Sequence, residues 1–153
     1  VAEAVPADAN RRRRLLWASR SPGKVVARYA GGDVLKGYAC DFDPDRPRFH
    51  LAAADGSLRE SVEVSLEDLK ALFFVRSFEG NAQYSESRDL YQARPPGTRK
   101  VRLEFHDGEL LVGYTTARDT RRFGLFVSPL DPLSNNRRVF AVTSFVARIE
   151  RLL

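Results

Sequence analysis

KVVARYAGGDVLKGYACDFDPDRPRFHLAAAD, residues 24–55, and KVRLEFHDGELLVGYTTARDTRRFGLFVSPLD, residues 100–131, superpose without a gap when the chain is slid by 76 positions. Lys24, Val25, Gly32, Leu35, Gly37, Tyr38, Asp43, Arg46 and Asp55 fall on Lys100, Val101, Gly108, Leu111, Gly113, Tyr114, Asp119, Arg122 and Asp131. One more residue of offset brings VEVSLEDLKALFF (62–74) onto VFAVTSFVARIER (139–151). A register held that long is the signature of an internal repeat, so the chain carries two copies of one unit.

Within each copy the strand signals are short and closely spaced. Val25 to Ala30 and Val101 to His106 are β-rich and end at glycine-containing hairpin turns. A second strand carries Leu35, Gly37 and Tyr38, or Leu111, Gly113 and Tyr114. Third strands are expected at Phe49–Ala53 and Leu125–Ser128, and fourth strands at Val62–Ser65 and Val139–Val142. Leu66–Leu69 and Thr143–Val146 are too short for an α-helix and suit one tight turn before the last strands, Ala71–Arg76 and Ala147–Leu152. Gly37 and Gly113 sit mid-strand, where a side chain would obstruct the sharp bend that a small barrel needs in its second strand. The expected fold is therefore all-β: two tandem, five-stranded, partly open barrels of the Sm-like or Src-homology-like type. Asp8 caps an expected short N-terminal helix over Ala9–Ala18. The expected organisation is a basic segment over 1–23, a first barrel over 24–80, a linker over 81–99 and a second barrel over 100–153.

The 153 residues include 25 Lys+Arg and 20 Asp+Glu, a formal charge of +5, with pI near 9.7. Segment by segment the charge is +3 over 1–23, −2 over 24–80, +1 over 81–99 and +3 over 100–153. The excess is thus split between the tail, with Arg11, Arg12, Arg13 and Arg14 as candidate anion contacts, and the second repeat. A lone Cys40 can form no internal disulfide, and no apolar run approaches the roughly 18–20 residues of a membrane span. The reducing cytoplasm is the expected compartment.

Catalytic and metal chemistry find little footing. Asp41, Asp43 and Asp45 have the spacing that opens a calcium loop, but Arg46 and Ala52 stand where such a loop needs Gly and Glu. DFDPDRPR is accordingly read as a solvated loop balanced by Arg46 and Arg48. Gly32 and Gly37 carry the glycine spacing of a P-loop, with Tyr38 where its Lys belongs. His50 and His106 lie in no metal-spaced cluster, and Cys40 reads as a small strand hydrophobe. No metal, no cofactor and no enzymatic activity are expected.

The basic loops of the second repeat are the stronger signal. Arg118, Arg121 and Arg122 follow its second strand, while Ser134, Asn135, Asn136, Arg137 and Arg138 precede its fourth. These loops are where the two copies have diverged most, and loops commonly carry binding residues. For SNNRR a plain β-turn is the competing explanation. The loops adjoin opposite ends of the third strand, so a single shared pocket is not expected. A PilZ-type cyclic-di-GMP site would need R-x-x-x-R ahead of the barrel; the only such pair, Arg118 and Arg122, lies within the second repeat.

At GGDVLKGYACDFDPDRPRFHL (31–51), SLEDLKALFFVRSFEGN (65–81) and DPLSNNRRVFAV (131–142) the chain resembles a bacterial domain of unknown function found in signalling chains, sometimes beside receiver or PilZ modules. The resemblance covers roughly residues 24–153 and implies a non-enzymatic regulatory or binding role with a protein partner. The alternative is a small-barrel module for nucleic acid or a nucleotide such as a cyclic dinucleotide.

Overall fold

Each repeat folds as its spacing dictates. The computed structural model describes residues 23–53, 61–80 and 94–152. The N-terminal segment, with its expected helix and Arg11 to Arg14, and most of the linker lie outside the described residues. The first repeat comprises β1 (Lys24–Tyr29), β2 (Val34–Ala39), β3 (Arg48–Ala53), β4 (Val62–Ser65) and β5 (Leu69–Val75). The second comprises β6 (Arg99–Phe105), β7 (Leu110–Thr115), β8 (Gly124–Pro129), β9 (Asn136–Val142) and β10 (Val146–Leu152). Single 3-10 turns over Leu66–Asp68 and Thr143–Phe145 precede the last strand of each copy. Among the described residues no helix is long and apolar enough to cross a membrane.

The repeat is visible bond for bond. In the first hairpin Gly32 N–H donates to the Tyr29 carbonyl at 3.0 Å, and in the second Gly108 N–H donates to that of Phe105 at 2.8 Å. Both glycines need positive φ, 104° and 89°, which a side chain would strain. The 3-10 turns dock on these hairpins alike: Ala30 N–H donates to the Asp68 carbonyl at 2.8 Å and His106 N–H to that of Phe145 at 3.0 Å.

Two separate barrels do not form. All ten strands join one antiparallel sheet in the order β10-β6-β7-β8-β9-β5-β1-β2-β3-β4, with neither β10 nor β4 paired on its outer side among the described residues. The cause lies in β5, which pairs with β1 on one side and on the other with β9, the fourth strand of the second repeat. Ala71, Leu72 and Phe73 stand opposite Ala141, Phe140 and Val139. Because side chains alternate across a strand, this joint feeds both cores. Phe126, Phe140 and Val142 of the second repeat pack with Val25, Phe49, Val64, Leu72 and Phe74 of the first. In return Ala71 and Phe73 of the first repeat pack with Val101, Leu103, Phe105 and Val127 of the second.

Candidate functional site

Part of the loops expected to bind a partner, Arg121, Ser134 and Asn135, instead engages the other repeat. DFDPDRPR is the first correction: it is not simply solvated. Phe42 packs edge-on against Phe49, Phe126 and Phe140 at centroid distances of 5.3, 6.4 and 5.4 Å. That anchor carries Asp45 to the loop between β7 and β8. Arg121 Nε donates to the two Asp45 oxygens at 3.3 and 3.1 Å, its Nη2 closes the second arm of the fork, and Arg122 N–H donates to Asp45 Oδ1 at 3.0 Å. The Arg121 guanidinium and the Arg122 amide hold the Asp45 carboxyl below the ordinary aspartate range. Arg48, expected to balance this loop, lies instead 3.4 Å from Glu63.

The SNNRR stretch forms a second latch. Asn135 accepts Arg76 N–H on its carbonyl at 2.8 Å and Ser77 N–H on Oδ1 at 3.1 Å, while its Nδ2 donates to the Ser77 carbonyl at 3.0 Å. Arg76 Nε and Nη2 donate to the carbonyls of Ser134 and Pro132, each at 3.0 Å. Ser134 is 1% exposed, and its Oγ accepts the N–H of Asn136 at 3.0 Å. Ser134 closes a turn that begins at Asp131, its N–H donating to the Asp131 carbonyl at 3.1 Å, whereas Asn136, Arg137 and Arg138, expected in the loop before the fourth strand, already belong to β9, which pairs with β5.

A third latch runs the other way. Lys70, on β5, is 5% exposed; its Nζ donates to Asp107 at 2.7 Å and Glu109 at 2.6 Å in the β6–β7 hairpin and lies 5.0 Å from the Phe105 ring centre. Burial opposes the ammonium charge, but the two carboxylates outweigh it and raise the Lys70 pKa. Donation from Lys70 holds the Asp107 carboxyl below its usual range.

Sequence reading alone does not single out Phe42, Asp45, Lys70 and Arg76 as contacts between the repeats. In the repeat alignment the first three fall on Arg118, Arg121 and Ala147, so the Asp45 and Lys70 latches rest on positions at which the copies have diverged. One signal was available: Asp45 meets Arg121, the arginine at its own repeat-equivalent position.

The remaining basic residues stay at the surface. Arg118 sits exposed in a 3-10 turn over Ala117–Asp119, which is fixed by Thr116 N–H and Oγ1 donating to Asp119 Oδ2 at 2.7 and 2.9 Å. Arg122 lies over Phe123, its Cζ 5.2 Å from the ring centre. Arg138 stacks more closely, 3.9 Å from the centre of Phe126 and 5.3 Å from that of Phe74. Burial against these rings lowers the Arg138 pKa, and the Asp119 charge acts in the opposite sense. Arg137 is skipped where the β5–β9 ladder shifts register, Phe74 standing opposite Arg138 and Val75 opposite Asn136. It lines a cavity of about 300 Å³ with Arg76, Tyr114 and Asn136. Neighbouring arginines singled out by sequence thus separate, Arg138 onto the Phe126 and Phe74 rings and Arg137 onto the cavity.

The first repeat carries a different cluster on its outer face. His50 Nδ1 lies 2.7 Å from Asp41 and its Nε2 3.9 Å from Glu63, all about half exposed. Among the described residues no group of His, Cys, Asp and Glu is arranged to hold a metal ion.

No curated protein and no solved structure shows a significant match to the chain. A family model does match, over residues 21–152, and the family is described as one of unknown function, DUF6982. That description carries no ligand, reaction or signalling role. With the match spanning both repeats and the joint between them, the chain belongs to the DUF6982 family.

Proposed function

We propose that the chain is a non-enzymatic binding module, and that its contact surface is the arginine-on-aromatic face of the second repeat, formed by Arg118, Arg122 and Arg138. The partner is an acidic segment of another protein. The observation that carries this reading is the stacking of Arg138 on Phe126 at 3.9 Å with no ion pair among the described residues. A guanidinium partly withdrawn from water, on which the Asp119 charge acts without forming an ion pair, gains from an incoming anion, and its planar edge favours bidentate carboxylate contact. The rings beneath Arg138 are largely buried, Phe126 at 7% and Phe74 at 7% exposure, so they offer no open face on which bases could stack.

Calorimetric titration of the chain with poly-glutamate tests this. Binding should weaken at least tenfold in the double variant Arg122→Ala, Arg138→Ala and persist in Arg137→Ala, whose side chain lines the separate cavity beside Arg76 and Tyr114. A tighter interaction with single-stranded DNA or cyclic-di-GMP than with poly-glutamate would support the nucleotide alternative instead.

A further inference from the structure

We propose that the two sheet edges left open among the described residues are the halves of one joint, and that a second copy of this chain fills it, β10 of one molecule pairing antiparallel with β4 of the next. The molecule already contains such a joint. β5 and β10 are the last strands of the two repeats, and β4 and β9 are the fourth; β5 pairs with β9, whereas β10 and β4 end the sheet. The repeat alignment transfers the register. Ile149 then stands opposite Glu63, as Leu72 stands opposite Phe140, and Glu150 opposite Val62, as Phe73 stands opposite Val139.

Exposure and charge both favour this pairing. Val62 on one edge is 44% exposed and Ile149 on the other 48%, while their counterparts Val139 and Leu72 are both fully buried in the internal joint. Residues 62–68 include Glu63, Glu67 and Asp68 and no basic residue. On β10, Glu150 is held by Arg102 and Arg148 by Glu104, which leaves Arg151 with no ion pair among the described residues. Arg151 shares a face with Ile149, two positions along, and the transferred register puts it in diagonal reach of Glu63, which within its own molecule has Arg48 at 3.4 Å and His50 at 3.9 Å.

The internal joint is apolar where this one is charged, with Glu63 in place of Phe140 and Arg151 in place of Phe74. Association between molecules is therefore reversible and weakened by salt, while the internal joint is permanent. Different surfaces meet, so the contact is head-to-tail and builds rings or short chains rather than stopping at a two-fold dimer.

Sedimentation velocity on the intact chain tests the joint. At ~50 mM salt the average mass should rise with concentration above the 17.2 kDa of one chain and fall back at ~500 mM. Glu63→Arg and Arg151→Glu should each abolish the rise, and an equimolar mixture of the two should restore it, since each then meets its complement. A chain that stays monomeric at low salt, association that neither variant reduces, or loss that mixing does not restore would each overturn the proposal.

Discussion

Gly37, Gly113 and Gly124 are fixed by the backbone of the neighbouring strand. A Cβ on each would collide with the carbonyl oxygen of Ala52, Ser128 and Ala141 respectively, and a carbonyl in a ladder cannot swing aside as a side chain could. Gly37→Ala and Gly113→Ala should each cost about 1–3 kcal/mol. For a chain of this length that lowers the melting temperature by about 2–12 °C. Gly31→Ala is the control: it lies in open space without a positive φ, and its melt should match the parent's. Gly37 and Gly113 are legible in the sequence from their repeat-equivalent places inside strands. Gly124 is not, because its counterpart in the first repeat is Arg48 and repetition says nothing of it.

At the scale of elements, β5 decides how the repeats meet. Its sequence, LKALFFV, is apolar on both faces, the mark of a strand covered on both sides. VARIERL in β10 mixes charged and apolar residues on both faces and, among the described residues, is paired on one side only. That contrast is legible in the two strings of residues; the strand that β5 meets is not, because strand pattern reports burial and not the identity of a neighbour. The same limit hides the latches, since Arg76 and Asn135 are far apart in sequence and meet only once β5 lies on β9. The Lys70 latch gives these strands a pH dependence. Asp107 and Asp45 titrate below the ordinary aspartate value, so as pH falls through about 4 the unfolded chain takes up protons first and stability drops. The raised Lys70 pKa acts at the other end: its contribution is complete below the ordinary lysine value and is lost as pH rises through the higher folded one. Lys70→Met should flatten the melting-temperature profile between pH ~5 and ~3 relative to the parent, measured by circular dichroism.

At the scale of the molecule, the two repeats complete each other. Phe126 and Phe140 of the second lie in the core built mostly by the first, and Ala71 and Phe73 of the first lie in the core of the second. A repeat detected in sequence predicts two similar units, and the strand positions follow from it closely; it does not predict that the units share their hydrophobic cores. The consequence is cooperativity, since neither core can open without exposing apolar surface of the other. Differential scanning calorimetry of the intact chain tests this most directly. A single transition, with calorimetric and van't Hoff enthalpies in a ratio of about 1, is the predicted result. Two resolved transitions, one for each repeat, would contradict the shared core.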